Sequence, residues 1–265
     1  MRRIICLILA VIMLLAILTS CFDNSNNIFI NGSASVERVI SMLIEAFNQE
    51  HPDIILTFSP TGSGAGINSV IEGMADIGIS SRELRENETG VDATTFAIDG
   101  LAIIIHPDNP VYDLTTEQIA GIYTGAVTNW SQVGGLDSPI SVIGREAGSG
   151  SRGAFEDIMD ITDETTHDQE LNSGGAIVAA VSTNRFAIGY TSLSTVNDDV
   201  KTISVNGVAV SEATLLDETY PIARPFIMMT QSGGEISEAV QKFMEFIMSA
   251  AATDIISKAG VLQAR

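Results

Sequence analysis

Apolar runs rich in Ile, Val and Phe alternate along the chain with segments that are apolar on one helical face. The runs predict strands, and the amphipathic segments predict helices. The predicted strands lie at 27–31, 54–58, 75–80, 100–106, 140–144, 186–191, 200–205 and 225–230. The predicted helices lie at about 35–49, 65–74, 116–122, 151–159, 174–183, 235–249 and 251–259. This alternation predicts an α/β fold, and the absence of a fixed sequence period argues against a repeat protein.

The N-terminus has the pattern of an export signal. Two arginines precede an almost unbroken apolar run at 4–18, and small residues follow it. We expect 1–20 to be a signal peptide. The alternative is a transmembrane anchor, because the run approaches the roughly 20 residues that span a bilayer. The sequence LTSC, which ends at Cys21, resembles the lipobox of bacterial lipoproteins, and this implies a lipid on Cys21 and a lipidated polar tether over 21–27.

Charge and cysteine content narrow the range of partners. The chain has 13 basic and 33 acidic side chains, a formal net charge of -20. Nucleic acid and anionic membrane surfaces are therefore poor partners. Cys6 lies in the apolar segment and Cys21 is the other cysteine, so the exported part has no disulfide framework. About 240 residues remain after 1–20, enough for one large domain or two moderate ones.

Four of the predicted strands are followed by loops of glycine and serine. Three of these loops begin helices: NGSASV at 31–36, SPTGSGAGI at 59–67 and GREAGSGSRG at 144–153. The fourth, ISSR at 79–82, follows another strand. Helix capping explains any one of them. Because ligands of open α/β sheets bind beyond the carboxyl ends of the strands, and free helix N–H groups bind anions, the four loops together predict an anion site.

Other chemistries find less support in the sequence. The glycines of 148–153 fit the dinucleotide-binding pattern G-x-G-x-x-G. That pattern also requires an acidic residue at the end of a second strand about 20 positions later, and 167–175 reads as a polar loop instead. P-loop and G-x-S-x-G motifs are absent, and the three histidines suit neither a catalytic triad nor a metal site. A phosphoryl-transfer or hydrolytic enzyme would lack a base, a nucleophile elbow and metal ligands. We therefore expect no enzyme, no cofactor and no metal.

What remains is non-covalent capture of a small oxyanion. Arg145 is the expected cationic contact, because a guanidinium offers paired donors in a planar arrangement that suits tetrahedral oxyanions. The alternative for Arg145 is a salt bridge with Glu146 or another acid. For Arg152, in the first turn of the next predicted helix, an ion pair is at least as well supported as a ligand contact.

Taken together, the four loops resemble those of the phosphate-binding proteins of bacterial ABC transporters, which are receptors of the type 2 periplasmic-binding-protein fold. Further marks of the resemblance, which covers nearly the whole exported chain, are ADIGISSREL at 75–84, the stretch at 106–135, AIGYTSL at 187–193 and YPIARPF at 220–226. The resemblance implies a monomeric receptor that binds inorganic phosphate and delivers it to the membrane subunits of an ABC permease. The alternative is a phosphate or oxyanion sensor or scaffold of the same fold without a transport role.

The resemblance also implies two lobes and a set of ligand contacts. Lobe I is expected at 28–104 and 226–265 and lobe II at 105–225, with the ligand in the cleft between them.

Some family members have an aspartate in place of Ser81. That carboxylate accepts the proton that phosphate retains and sulfate lacks, whereas Ser81 has no such charge. The implied phosphate contacts are Ser33, Ala34, Ser35, Ser63, Ser81, Arg145, Ser149, Gly150 and Ser151.

Overall fold

The computed structural model describes residues 26–264. The predicted signal peptide and Cys21 lie outside these residues. The strands are β1 (Asn27–Gly32), β2 (Ile55–Pro60), β3 (Ile77–Ser80), β4 (Val91–Ile105), β5 (Asp113–Leu114), β6 (Ser141–Arg145), β7 (Gln169–Leu171), β8 (Ala187–Ser192), β9 (Lys201–Thr202), β10 (Ser204–Val205), β11 (Ala223–Gln231) and β12 (Leu262–Gln263). The helices are α1 (Glu37–Glu50), α2 (Ser63–Ile71), α3 (Thr116–Tyr123), α4 (Gly150–Met159), α5 (Gly174–Thr183), α6 (Glu212–Leu216), α7 (Glu238–Met248) and α8 (Ala250–Lys258).

Local sequence accounts for where these helices begin and which face they bury. In α1 the apolar residues Val39, Ile40, Leu43 and Phe47 recur at helical spacing and are all buried. A capping box starts α3, because Thr115 accepts from the Gln118 amide and the Gln118 side chain accepts from the Thr115 amide. Helices α4, α5 and α7 each follow a serine whose hydroxyl caps the first turn.

One curled mixed sheet runs through the molecule in the order β2-β1-β3-β11-β4-β8-β6-β7, with β9 and β12 paired to β4. Strands β1, β2 and β3 are parallel, and so are β6, β7 and β8. Strand β4 links the two halves: it pairs with β11 from Val91 to Gly100 and then with β8 from Leu101 to Ile105. Because β4 exchanges one partner for another midway, the two halves of the sheet share a continuous strand.

Separate apolar cores lie on the two halves of the sheet. On the β1 half, α1, α7 and α8 cover a core that includes Phe47, Phe96 and Phe243. On the β8 half, another core includes Trp130, Phe155 and neighbouring aromatic residues. The predicted lobe boundaries, 104/105 and 225/226, fall inside β4 and β11, close to where β4 exchanges partners. The exact division into lobes stays a prediction.

Several elements differ from the sequence prediction, among them β4, β7 and α6. Strand β4 begins at Val91 instead of residue 100, because the stretch VDATT is largely exposed and has no apolar run that would indicate a strand. Strand β7 lies where a polar loop was predicted; it is a short edge strand whose side chains are largely exposed. Helix α6 has a single turn and too few apolar positions for a period to be recognised. Within 26–264, no helix is both long and apolar enough to cross a membrane.

Candidate functional site

The carboxyl ends of β1, β2 and β3 place three serine-containing loops side by side. After β1, Ser33 begins a 3-10 turn (Ala34–Val36), and its hydroxyl accepts from the Ser35 amide at 3.3 Å. After β2, helix α2 begins at Ser63, behind Gly62. Gly62 has a φ of 109°, which favours glycine, and a Cβ there would lie 2.8 Å from the Gly148 carbonyl oxygen. The glycines therefore let backbone approach backbone at this end of the sheet.

Five buried serines meet at this point, and we call them the serine cluster: Ser33, Ser35, Ser63, Ser81 and Ser151. The Oγ atoms of Ser33 and Ser81 are 2.7 Å apart, and those of Ser35 and Ser151 are 2.6 Å apart. The Ser81 amide donates to Ser63 Oγ at 3.0 Å. Ser151 comes from the β8 half of the sheet and the other four come from the β1 half, so the cluster joins the two halves.

Helix α4 points its first turn at the serine cluster. A Cβ on Gly150 would lie 1.9 Å from Ser63 Oγ and 2.5 Å from Ser81 Oγ. Ser149 caps the helix, because its hydroxyl accepts from the Arg152 amide. The first amides of a helix have no partner inside it. In the described chain no hydrogen bond is made by the amides of Gly150 and Ser151, nor by that of Ala34 in the 3-10 turn.

The predicted cation Arg145 lies at the end of β6, and its guanidinium does not hydrogen-bond to the serine cluster. Nε and Nη2 both donate to the Glu146 carboxylate, at 3.1 and 3.0 Å. The same two nitrogens donate to the carbonyl oxygens of Leu171 and Asn172, at 3.0 Å each. Within 26–264 no hydrogen bond uses Nη1. Arg145 is 2% exposed, so Nη1 is a nearly buried donor that remains available.

A second guanidinium, Arg224 on β11, contacts the serine cluster directly. Its Nη1 donates to Ser151 Oγ at 2.8 Å and to Ser81 Oγ at 3.2 Å, and also reaches the Ser81 carbonyl oxygen at 3.3 Å. The sequence did not identify Arg224 as a candidate ligand contact, although Arg224 lies in the stretch YPIARPF at 220–226. A charge beside a long apolar run was the available signal, because a buried charge requires a partner. Asp99, which precedes the run of β4, gives the same signal with the opposite sign.

Arg224 is held by a fully buried carboxylate. Nε and Nη2 of Arg224 donate to Asp99 Oδ2 at 3.0 and 2.8 Å, while the Ser192 hydroxyl donates to Oδ1 at 2.8 Å. Burial raises the pKa of Asp99, and the guanidinium and the Ser192 hydroxyl oppose that shift. Burial also lowers the pKa of Arg224, against the effect of Asp99. Two charge-assisted hydrogen bonds to one carboxylate oxygen favour a charged pair, with Nη1 turned towards the hydroxyls.

Arg152 belongs to a separate ion-pair network on the outer side of α4. Its Nε donates to Glu156 and its Nη1 to Glu170, both at 2.7 Å. The His167 side chain lies next to this network, with Nδ1 3.3 Å from Glu170 Oε1. No group of acidic, histidine or cysteine side chains suited to a metal ion is found among residues 26–264.

Comparison with known proteins identifies the family of this fold and site. A family model described as PBP superfamily domain matches residues 23–251. The phosphate-binding protein PstS of Borreliella burgdorferi is 30% identical over 254 residues, which cover 91% of each chain. This chain belongs to the PBP superfamily and, within it, to the PstS family.

Solved structures agree with that assignment. One neighbour is a Clostridium perfringens protein assigned as a phosphate ABC transporter substrate-binding protein, and it was solved with bound phosphate. It superposes with a TM-score of 0.87 at 38% identity, and the match covers 91% of this chain and all of that one. An ABC-type phosphate transport receptor from Vibrio cholerae gives a TM-score of 0.78 at 37% identity, covering 89% of this chain and all of that one. The predicted type 2 periplasmic-binding-protein fold is confirmed. The PstS family consists of substrate-binding receptors of the extracytoplasmic side.

Proposed function

We propose that this chain is an extracytoplasmic receptor that binds inorganic phosphate at the serine cluster and delivers it to an ABC-type permease. The convergence of the cluster carries this proposal, since buried hydroxyls from both halves of the sheet surround the amide-rich start of α4. Hydroxyls and helix N-termini are suitable donors for a tetrahedral anion. The PstS relative and the phosphate-bound neighbour support phosphate as that anion.

The described contacts suggest a role for each predicted residue. The five hydroxyls of the serine cluster and the amides of Ala34, Gly150 and Ser151 would donate to phosphate oxygens. Nη1 of Arg145 would supply charge from the β8 half. Ser149 would act through the helix, because its hydroxyl caps α4 and keeps the first amides directed at the ligand. Lobes at 28–104 with 226–265 and at 105–225 would close around these groups.

Non-covalent binding fits the chemistry of the cluster better than catalysis does. In the described residues no carboxylate or imidazole hydrogen-bonds to a hydroxyl of the cluster, so its hydroxyls have no base that would make them nucleophiles. The cations present, Arg145 and Arg224, stabilise a bound anion and cannot accept a proton. We therefore propose a receptor that is no enzyme and acts as a monomer.

Calorimetric titration of the ligand-stripped protein with phosphate tests this function. We expect binding at micromolar concentration or below, and Arg145→Gln should weaken it by about tenfold or more because an anion then loses a charged donor. The matched control is Arg185→Gln, which changes an exposed arginine on the β8 half. Absence of phosphate binding by the unmodified chain would disprove the function. Uptake of labelled phosphate by cells with and without the gene would separate transport from sensing.

A lipid on Cys21 would hold the receptor at the outer face of the cell membrane. The LTSC motif supports this proposal. Mass spectrometry of the protein from membranes should find a diacylglyceryl thioether on Cys21, and Cys21→Ser should release the protein into the soluble fraction. An unmodified Cys21 in the membrane fraction would contradict it.

A further inference from the structure

We propose that the protein has a second ligand site, for a small apolar molecule with a cationic end, in a groove behind the serine cluster. The groove has a volume of about 620 Å³, and such volumes are typical of small-molecule sites. It lies close to where β4 exchanges its partner strand. We call it the hinge groove, and its apolar sides are formed by Ile98, Pro225 and Leu262 and by Leu215, Leu216 and Tyr220. This site goes beyond the proposed function, and only its effect on phosphate affinity depends on that function.

The floor of the hinge groove is a row of apolar side chains across three strands. Pro225 on β11 pairs with Ile98 on β4, and Ile98 pairs on its other side with Leu262 on β12. Arg224 and Asp99 are the next pair along β11 and β4, and their side chains meet on the face of the serine cluster. Because successive side chains of a strand point to opposite faces, the apolar row faces away from the cluster. Within 26–264 neither Ile98 nor Leu262 belongs to an apolar core, and both stay half-buried.

The other wall of the groove comes from the β8 half of the molecule. Leu215 and Leu216 of α6 line it together with Tyr220. Leu215 and Tyr220 are buried in the core of that half, whereas Leu216 is 57% exposed. An apolar ligand would remove Leu216 and the floor from water at the same time, and this burial favours binding.

Two carboxylates give the hinge groove its charge. Glu83 is half-buried and Glu218 is exposed, and both line the groove. Within 26–264 neither carboxylate makes a hydrogen bond or an ion pair. Arg224 is the one cationic residue among the described lining residues, and its guanidinium is directed at Asp99 and the serine cluster on the other face. A cation would therefore meet unpaired negative charge in the groove, whereas an anion would be repelled.

The backbone at Glu218 offers a way to test this charge without harming the fold. Glu218 follows α6 with a φ of 58°, which lies in the left-handed region. Glycine or asparagine usually occupies such a position after a helix. Glu218→Gly therefore removes the carboxylate and suits the backbone at the same time.

A molecule in the hinge groove should also favour phosphate binding. The floor belongs to the β1 half and the other wall to the β8 half, so a ligand that contacts both stabilises the arrangement in which Ser35 and Ser151 meet. A ligand that prefers one arrangement of a protein increases the population of that arrangement. By linkage, the cationic ligand and phosphate should raise each other's affinity by the same factor.

Calorimetric titrations with three probes test the site: phenylbutylammonium, phenylbutyrate and methylammonium. The first has the apolar body and the cation, the second reverses the charge, and the third lacks the body. We expect phenylbutylammonium to bind with a Kd below about 1 mM and the other two to bind at least about tenfold more weakly. Absence of phenylbutylammonium binding, or equal affinities for phenylbutylammonium and phenylbutyrate, would overturn the inference. Phosphate titration without any probe tests the proposed function separately.

Titration of phosphate in saturating phenylbutylammonium tests the linkage. The phosphate Kd should fall by about threefold or more, and the Kd of phenylbutylammonium should fall by the same factor in saturating phosphate. An unchanged phosphate Kd would overturn this part of the inference.

Variants of the lining residues locate the probe. Glu83→Gln with Glu218→Gly should weaken phenylbutylammonium by about tenfold and should not weaken phenylbutyrate. Leu216→Ala should weaken phenylbutylammonium as well, because Leu216 is part of the apolar wall. The matched control is Glu45→Gln, which changes an exposed glutamate of α1 and should leave the affinity unchanged. Full affinity in the double variant would overturn the inference.

Arg265 is the competing occupant of the hinge groove, because it follows Ala264, which lines the groove. Arg265→Gln should leave the affinity for phenylbutylammonium unchanged. A gain of about tenfold would instead assign the groove to the side chain of Arg265 and overturn the inference.

Discussion

Gly150 lies directly against Ser63, so that a Cβ on Gly150 would be 1.9 Å from Ser63 Oγ and 2.8 Å from Ser63 Cβ. The two residues come from opposite halves of the sheet, and their contact sets how closely α4 approaches the start of α2. A short serine side chain cannot move far enough to admit a methyl group at these distances.

Gly150→Ala should therefore weaken phosphate binding without harming the fold. The methyl group forces the two halves apart and removes α4 amides from the ligand, and we expect an affinity loss of about tenfold or more. The clash lies between the two halves and outside their apolar cores, so the thermal midpoint without phosphate should change little. Calorimetry and thermal unfolding measure the two effects.

Gly148→Ala is the matched control for that change. Gly148 lies in the same loop as Gly150. No atom lies within 4 Å of the position that a Cβ on Gly148 would take, and its φ is one that other residues adopt. Its affinity should equal that of the unmodified protein. Equal affinities for both alanine variants would contradict the proposed approach of α4 to the ligand.

Asp99→Asn alone should strongly destabilise the protein, because it leaves the buried Arg224 charge without its carboxylate. Removing one partner of a buried ion pair costs about 3 to 5 kcal/mol. Urea unfolding should show this loss, and adding Arg224→Gln should restore most of it. Glu238→Gln, in an exposed pair with Lys242, is the control and should leave the unfolding curve unchanged. A stable Asp99→Asn protein would mean that the pair is not charged.

Stability should fall in mildly acidic solution because of His167. Burial lowers the pKa of His167 from 6.5, with nearby Arg152 acting in the same direction and Glu170 opposing it. Its side chain is 2% exposed, and Nε2 is buried without a hydrogen-bond partner in the described chain. Between the folded-state pKa and 6.5 the unfolded chain binds more protons, so the free energy of unfolding decreases as pH falls through that window.

Denaturant titrations at several pH values measure this slope. His167→Gln should flatten the slope of the unfolding free energy against pH between neutrality and the onset of carboxylate protonation. His106→Gln should leave that slope unchanged, because His106 lies away from the ion-pair network of Arg152. Glu88 and Glu170 have lowered pKa values, so their contributions are lost at lower pH, below about 4.5. An unchanged slope in His167→Gln would rule out this histidine as the source.

Phosphate should associate faster as salt is added. The formal charge of -20 repels an anion at long range, whereas carboxylates beyond about 8 to 10 Å are largely screened at physiological ionic strength. Stopped-flow measurements should therefore give an association rate that rises with potassium chloride. A falling rate would show that the local field of Arg145 and Arg224 dominates the approach.

Much of the fold was accessible from the sequence, because its elements are long and their periods are clear. The apolar spacing of α1 and the continuous runs of β4 and β11 identify buried surfaces with no knowledge of the tertiary structure. Short elements such as α6 and the edge strand β7 were missed, since a few residues carry too little periodicity. Of the candidate site, the loops around Ser33, Ser63 and Gly150 were found because they begin helices after predicted strands.

The side-chain partners at the site could not be predicted from the sequence. Arg145 was expected to be the cation among the serines, yet its Nε and Nη2 donate to Glu146 and to two carbonyl oxygens. Arg224, separated by 143 positions from Ser81, is the guanidinium that contacts the hydroxyls. No local pattern joins residues so far apart.

The sequence by itself determined the α/β order and the ends of the sheet at which serine and glycine loops gather, since strand and helix periods are local properties. Only the tertiary structure decided which arginine meets the serine cluster and how Asp99 directs it. The reason is physical: a long charged side chain that is buried takes the direction of its best available partners, and those partners are assembled by distant strands.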